Sequence, residues 1–357
     1  MKAMIKSIAA LAMLAFTAPA FAGGVTVAQD GDSKLKIGAK FYVDMSASKT
    51  EDQTGTTNKT IGANLGRAYF SVGYKFNDVW SMGLTTDVAV APANSNLKKR
   101  STVYIKKAYL QGKFAPEFVL QAGVIGTPWI GHEEHLWKHR YLSKVMLDTL
   151  GFDSSADAGI GIKGKVADGL LNYHITEING GGYGNISKSD GMDLNARIGL
   201  KPVDGLTLDG QFRDGYWGKK TFGAAAPQKN RLWQILATYG MGHDFRVGAG
   251  YINFDDKQGL KGSKVANTKN NAYYLWGWVN FADNYGAFAR YETLKAKNVA
   301  WALNENQIRY VAGLDWHAYK NVEFSLAYDY SKKTDIKGVA GTFTKDTKYG
   351  IFSQVKF

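Results

Sequence analysis

The stretch KLKIGAKFYVDMSAS, residues 34–48, alternates strictly. Its odd positions are Leu35, Ile37, Ala39, Phe41, Val43, Met45 and Ala47, whereas the even ones include Lys34, Lys36, Lys40, Asp44, Ser46 and Ser48. A period of two is that of a β-strand with one apolar and one polar face. Globular strands usually run about 5–6 residues, and a strand crossing a bilayer at a tilt needs about 9–11. The length here fits the second.

The same period returns along the chain. Ala68, Phe70, Val72, Tyr74 and Phe76 share one parity, and so do Trp80, Met82, Leu84, Val88 and Val90, with only Asn77-Asp78-Val79 between the two runs. Further short turns fall at 115–117, 167–169, 202–205, 240–244, 282–284 and 318–321, seven in all. Eight longer polar connections alternate with them, near 49–62, 91–102, 126–155, 179–191, 214–229, 255–271, 294–306 and 332–345. Seven turns and eight loops join sixteen strands. Short and long connections in strict alternation predict an all-β fold, a transmembrane antiparallel up-and-down β-barrel with turns on one side and loops on the other. Aromatic residues bracket most of the turns on the apolar parity: Phe76 and Trp80, Phe114 and Phe118, Tyr239 and Phe245, Phe281 and Tyr285, Trp316 and Phe324. They read as an interfacial girdle. A soluble β-sandwich also alternates, but it needs apolar residues for a second packed sheet, and here the second face carries charge.

The start of the chain predicts export. A basic stretch from Met1 to Lys6, an apolar run from Ile8 to Phe16 and the small residues of Ala20-Phe21-Ala22 have the order of a signal peptide at 1–22, which leaves one β-barrel over 23–357. The apolar run is too short to span a bilayer, and mean hydropathy is −0.26, which excludes a helical membrane protein. With no cysteine, thiolate metal sites and disulfides are excluded. The formal net charge is +13. That suits anionic lipid or anionic solutes, and export removes nucleic acid as a partner.

The final strand places Tyr349, Ile351, Val355 and terminal Phe357 on one parity, which resembles the C-terminal aromatic signature of outer-membrane barrels. Gly66-Arg67-Ala68-Tyr69-Phe70 and Lys107-Ala108-Tyr109-Leu110-Gln111 are similar to segments of the general and phosphate-selective porin superfamily of Gram-negative bacteria. The resemblance implies a homotrimer in the outer membrane, in contact with lipid and lipopolysaccharide. It also implies a third loop, here 126–155, folded into the lumen.

A barrel of sixteen strands encloses water, so the parity opposite the apolar one should line a channel. Basic residues outnumber acids there. The candidate pore-lining residues are Lys40, Arg67, Lys107, Arg197, Arg213, Arg290 and Arg309, with Asp87 placed to neutralise part of the field. A lumen on the order of 10 Å across is comparable to the Debye length of about 8 Å, so wall charge biases passing ions. The expected function is passive diffusion of small hydrophilic solutes with a bias toward anions, phosphate among them, without cofactor or metal. The third loop carries both signs, with Glu133, Glu134, Lys138, His139 and Arg140 as candidate constriction residues. His132, His135 and His139 lack the HExxH spacing of zinc hydrolases. Tyr274, Trp276 and Trp278 share the lumen parity and offer a stacking track for sugars, the mark of a carbohydrate-type porin. Lys98-Lys99-Arg100 suits lipopolysaccharide phosphates. A barrel enzyme needs a nucleophile, a base and an orienting acid together, and no such set stands out. A loop-mediated adhesin or receptor is the remaining alternative.

Overall fold

A computed structural model describes residues 24–90, 101–219, 229–258, 267–298, 300, 303–336 and 339–357. The export signal at 1–22 and the Lys98-Lys99-Arg100 cluster lie outside the described residues. Among the described residues there are seventeen strands. They are β1 Val25–Asp30, β2 Ser33–Asp52, β3 Gly55–Lys75, β4 Trp80–Val90, β5 Ser101–Lys113, β6 Val119–Gly126, β7 Ala156–Val166, β8 Leu171–Ile178 and β9 Asp193–Leu200. There follow β10 Leu206–Gly215, β11 Asn230–Met241, β12 Phe245–Asp256, β13 Thr268–Ala282, β14 Tyr285–Asn298, β15 Leu303–Tyr319, β16 Val322–Thr334 and β17 Phe343–Lys356. Two short helices, α1 Ile130–Trp137 and α2 Met146–Leu150, sit between β6 and β7.

From β2 onward each strand is antiparallel to the next, and β17 returns to pair with β2 from Lys356↔Lys40 to Thr344↔Asp52. Sixteen strands therefore close into a barrel. The alternation has its expected consequence: Phe41, Val43, Met45, Phe70, Met82, Leu84 and Ile351 are exposed on the outer surface, while Tyr42, Asp44 and Phe352 are buried on the inner one. Phe76, Trp80, Phe114, Phe118, Phe281, Tyr285 and Trp316 are exposed beside the short turns and form the aromatic rim at that end.

Two features depart from the sequence reading. The polar segment 49–62 is not a loop, because β2 and β3 run on as a hairpin to Asp52 and Gly55 and leave only Gln53-Thr54 as the turn. Thr56, Thr57 and Thr60 are β-branched, and Ser48 and Thr60 hydroxyls meet at 2.6 Å across the pair, so strand pairing persists without an apolar face. The second departure is β1. It folds back on β2 from Val25↔Ile37 to Asp30↔Ser33, on the edge that β17 occupies further along. The terminal Phe357 exchanges backbone hydrogen bonds with Ala39 (3.1 and 3.3 Å), so the two ends of the described chain meet end to end along one edge of β2.

The interior is not uniformly open. Trp137, Trp276, Trp278, Phe288, Tyr274, Phe254, Leu232 and Leu236 form one buried cluster with Trp129, Ile130 and Phe152. The large rings on β13 fit because β12 offers glycine opposite them: a Cβ on Gly248 would lie 2.5 Å from the Trp276 ring, and Gly250 is covered in the same way by Tyr274. Gly248→Val should push Trp276 out of its slot at a cost of about 1–3 kcal/mol. The check is a lowered temperature for conversion of the folded to the unfolded band on unheated and heated gels.

Candidate functional site

The connection from Thr127 to Ser155 crosses the interior and is held by the inner faces of strands on the far side. Arg197 Nε donates to the Pro128 carbonyl at 3.0 Å, Trp278 Nε1 to that of Leu136 at 2.9 Å, Arg290 to that of Lys144 at 2.7 Å and Arg213 to that of Phe152 at 3.1 Å. His132 Nε2 lies 3.0 Å from Asp209, and His139 Nε2 lies 2.7 Å from Asp315. These contacts span β9, β10, β13, β14 and β15. Guanidinium and indole N–H groups thus satisfy carbonyls that a non-repetitive segment leaves free.

Glu133, on α1, is wholly buried among donors: Trp129 Nε1 at 2.7 Å and the Tyr274 hydroxyl at 3.4 Å. Burial raises its carboxyl above the usual range. Burial also lowers His132 and His135, which leaves both uncharged at pH 7. Lys138 is brought down to about 8 by the same cause, and its ammonium sits 3.6 Å from the centre of the Trp278 ring.

The candidate wall residues divide into two groups. The arginines are paired: Arg67 with Asp87 at 2.8 Å, Arg197 with Asp209, Arg213 with Asp193, Arg290 with Glu292, and Arg309 with Asp329 through Nε at 2.9 Å. Arg197, Arg213 and Arg290 lie on the inner face but are buried beneath the loop, so their charge is spent on carboxylates and carbonyls. The lysines differ. Among the described residues no carboxylate lies within the 4.0 Å of an ion pair from Lys40 or Lys107, or from Lys163 on β7.

Lys40, Lys106 and Lys107 share a common electrostatic neighbour in Glu134 of α1, at the gap left beside the loop. Glu134 is itself bound by Arg140, and Arg140 reaches Asp148 at 3.6 Å. Lys106 Nζ also lies 4.0 Å from Asp87, so the gap is bounded by three amines and two acids, each acid already engaged by a guanidinium. Parity in the sequence placed Lys107 inward and missed Lys106. The ladder between β4 and β5 slips between Thr85 and Thr86, pairing Thr85 with Lys107 and Thr86 with Ile105, so a bulge turns Lys106 and Lys107 to the same side. Tyr69, Tyr104 and Tyr183 also went unremarked. Lys106 lies 4.7 Å from the Tyr69 ring and 5.2 Å from that of Tyr183, which reaches in from the connection between β8 and β9.

Beyond this gap, toward the long connections, is a cavity of about 620 Å³ bounded by Tyr42, Asp44, Asn64, Arg67, Arg140, Lys144, Arg309 and Lys348 among others. Tyr274, Trp276 and Trp278 share the inner parity as expected but lie under the loop with at most 4% of their surface exposed, which removes them as a stacking track. No group of three His, Asp or Glu side chains among the described residues could hold a metal ion.

Because the native fold holds the Glu133 proton more tightly than the unfolded chain, this carboxyl favours folding fully below its ordinary value of about 4.3, and that contribution is lost as pH rises through the raised native value. Glu133→Gln should therefore resist heat at least as well as the wild type at pH 8 and show no such advantage at pH 4, measured as the folded-to-unfolded conversion temperature across that range.

No protein-family model and no curated protein sequence matches the chain. Solved structures do. The outer-membrane channel DcaP of Acinetobacter baumannii aligns with a TM-score of 0.66 at 12% identity, covering 94% of this chain and 100% of that one. An anion-selective porin from Comamonas acidovorans gives 0.63 at 12% identity, over 90% and 100%. The in-vitro folded trimer form of OmpT, an outer membrane protein of Vibrio cholerae, gives 0.59 at 14% identity, over 91% and 99%. At such identities the likeness is one of architecture, and the architecture is that of the Gram-negative outer-membrane porins.

Proposed function

We propose that the chain forms a water-filled channel in the bacterial outer membrane for passive diffusion of small hydrophilic solutes, with a preference for anions that includes phosphate. The observation that carries the preference is the set of amines at the gap, Lys40, Lys106 and Lys107, against two carboxylates that guanidinium groups already engage, Glu134 by Arg140 and Asp87 by Arg67. Wall ammonium groups without a carboxylate partner raise the local concentration of anions, and the absence of a tight cage lets them leave. The anion-selective neighbour from Comamonas acidovorans supports this reading, and the trimer form from Vibrio cholerae supports a homotrimer. Residues on the outer apolar surface face lipid, and the exposed basic residues at the long-connection end face lipopolysaccharide.

We further propose that the chain is not an enzyme. Among the described residues, serine, acid and histidine approach one another in the interior at Ser325, Asp315 and His139, and there the serine hydroxyl donates to Asp315 at 2.6 Å while His139 meets the same carboxylate. The hydroxyl donates its hydrogen bond to the carboxylate and not to the imidazole, so the histidine is not placed as the base that would make it a nucleophile.

Planar-bilayer recording in a potassium chloride gradient tests the channel and its preference separately. Absence of stepwise conductance would sink the pore, and a reversal potential of cation-selective sign would sink the preference. Lys40→Gln combined with Lys107→Gln should bring the anion-to-cation permeability ratio down severalfold toward unity, and Glu134→Gln should raise it.

A further inference from the structure

Among the described residues the ladder of the barrel wall is incomplete on one side. The ladder between β3 and β4 runs from Lys75↔Ser81 to Phe70↔Thr86 and stops, although β3 continues to Gly55 and β4 to Val90. Among the described residues, β3 from Tyr69 to Gly55 keeps β2 as its only strand partner, and β4 beyond Thr86 keeps only β5. The margin is bare: Ile61 is 82% exposed and Leu65 40%. On the other flank the pairing of β5 with β6 ends at Ala108↔Val124, so the upper part of the β4–β5 hairpin is a two-stranded tongue. A barrel keeps its shape through a continuous ladder, and here the ladder has a slit.

Three side chains lie across that slit at its lower end. Arg67 of β3 donates through Nη1 to Asp87 of β4 at 2.8 Å and to the Tyr104 hydroxyl of β5 at 2.9 Å, and Tyr104 donates to the same Asp87 oxygen at 2.8 Å. The second Asp87 oxygen accepts the Val88 backbone N–H at 2.8 Å, and the side chain is wholly buried. Tyr104 is stacked on Tyr183 with ring centres 5.8 Å apart and planes 8° from parallel. Arg67 Nη1, the Tyr104 hydroxyl and one Asp87 oxygen are thus mutually bonded across the slit, with the Lys106 ammonium 4.0 Å from that same oxygen.

We propose that Arg67, Asp87 and Tyr104 form a side-chain lock that holds the lateral slit shut where the backbone ladder ends, and that they position Lys106 at the gap beside it. Arg67 then acts mainly as a structural pin and only secondarily as a wall charge. The proposal does not depend on the ion preference: it concerns what keeps the wall closed.

The two roles predict different signatures for substitutions of opposite charge. Arg67→Gln removes a cation and Asp87→Asn removes an anion, yet breaking the lock either way should raise open-channel current noise severalfold and lower the conversion temperature of the folded full-length protein. The double variant should be no worse than the more severe single one, since each partner works only through the other. Tyr104→Phe loses one hydroxyl and should show the same changes to a smaller degree; it supplies the answer if Asp87→Asn fails to fold. Opposite shifts in reversal potential from Arg67→Gln and Asp87→Asn, with quiet currents and an unchanged conversion temperature, would overturn the lock. A wild-type protein that carries no current would count against the channel, whereas the conversion temperatures would still decide the lock.

Discussion

An apolar slab offers nothing to a backbone N–H or carbonyl, so a chain that crosses it with strands has to satisfy those groups from its own ladder. Closure of β17 onto β2 meets that demand, and the rest follows from it. The outer parity is apolar because it faces the slab, the short turns end one rim with aromatic residues, and the inner parity is left to choose its own chemistry. Once the wall is closed, the interior is the only place where the segment from Thr127 to Ser155 can bury Trp129, Trp137 and Phe152.

That segment changes what the wall charge means. An arginine on an inner strand is a free cation only if nothing else inside the barrel needs it. Here Arg197, Arg213 and Arg290 hold backbone carbonyls of the crossing segment and wall carboxylates together. A planar guanidinium serves several acceptors at fixed angles, whereas a lysine ammonium is a point charge on a flexible stem. The division of labour follows the chemistry: these arginines hold the crossing segment, whereas Lys40 and Lys107 have no carboxylate at ion-pair distance among the described residues. Buried pairs of this sort fix geometry more than they add stability, since desolvation offsets much of the attraction.

Much of the fold was readable from the sequence because parity is a local property repeated on sixteen strands. Turns and rim aromatics followed directly. Three things were not. The hairpin to Asp52 and Gly55 lacks an apolar face, and polar threonine-rich strands look like loops when hydropathy is the guide. Lys106 was hidden by a bulge, since a single extra residue reverses parity without leaving a mark in composition. Tyr274, Trp276 and Trp278 were placed on the correct face, but a face says nothing about what covers it, and the cover comes from a segment more than a hundred residues earlier. The pairing of each arginine with its acid likewise depends on the register of neighbouring strands. Asp87 beside Arg67 was the exception: its strand lies between those of Arg67 and Lys107, although the ladder itself ends at Phe70↔Thr86.

The meeting of the chain's two ends on β2 has a consequence for how the molecule is made. The first barrel strand to leave the ribosome has its lasting partner at the very end of the chain: Phe357 bonds to Ala39, and Ser353 to the carbonyl of Val43, 310 residues away in sequence. Until β17 has been made, the edge of β2 that receives it has no native partner, and an open edge with alternating apolar residues is a template for the wrong one. Closure of this wall therefore waits for β17 and carries a high entropic cost of loop closure, slow by topology alone. A chain of this design has to be kept unfolded in transit and closed at its destination, where the last strand to emerge completes the first.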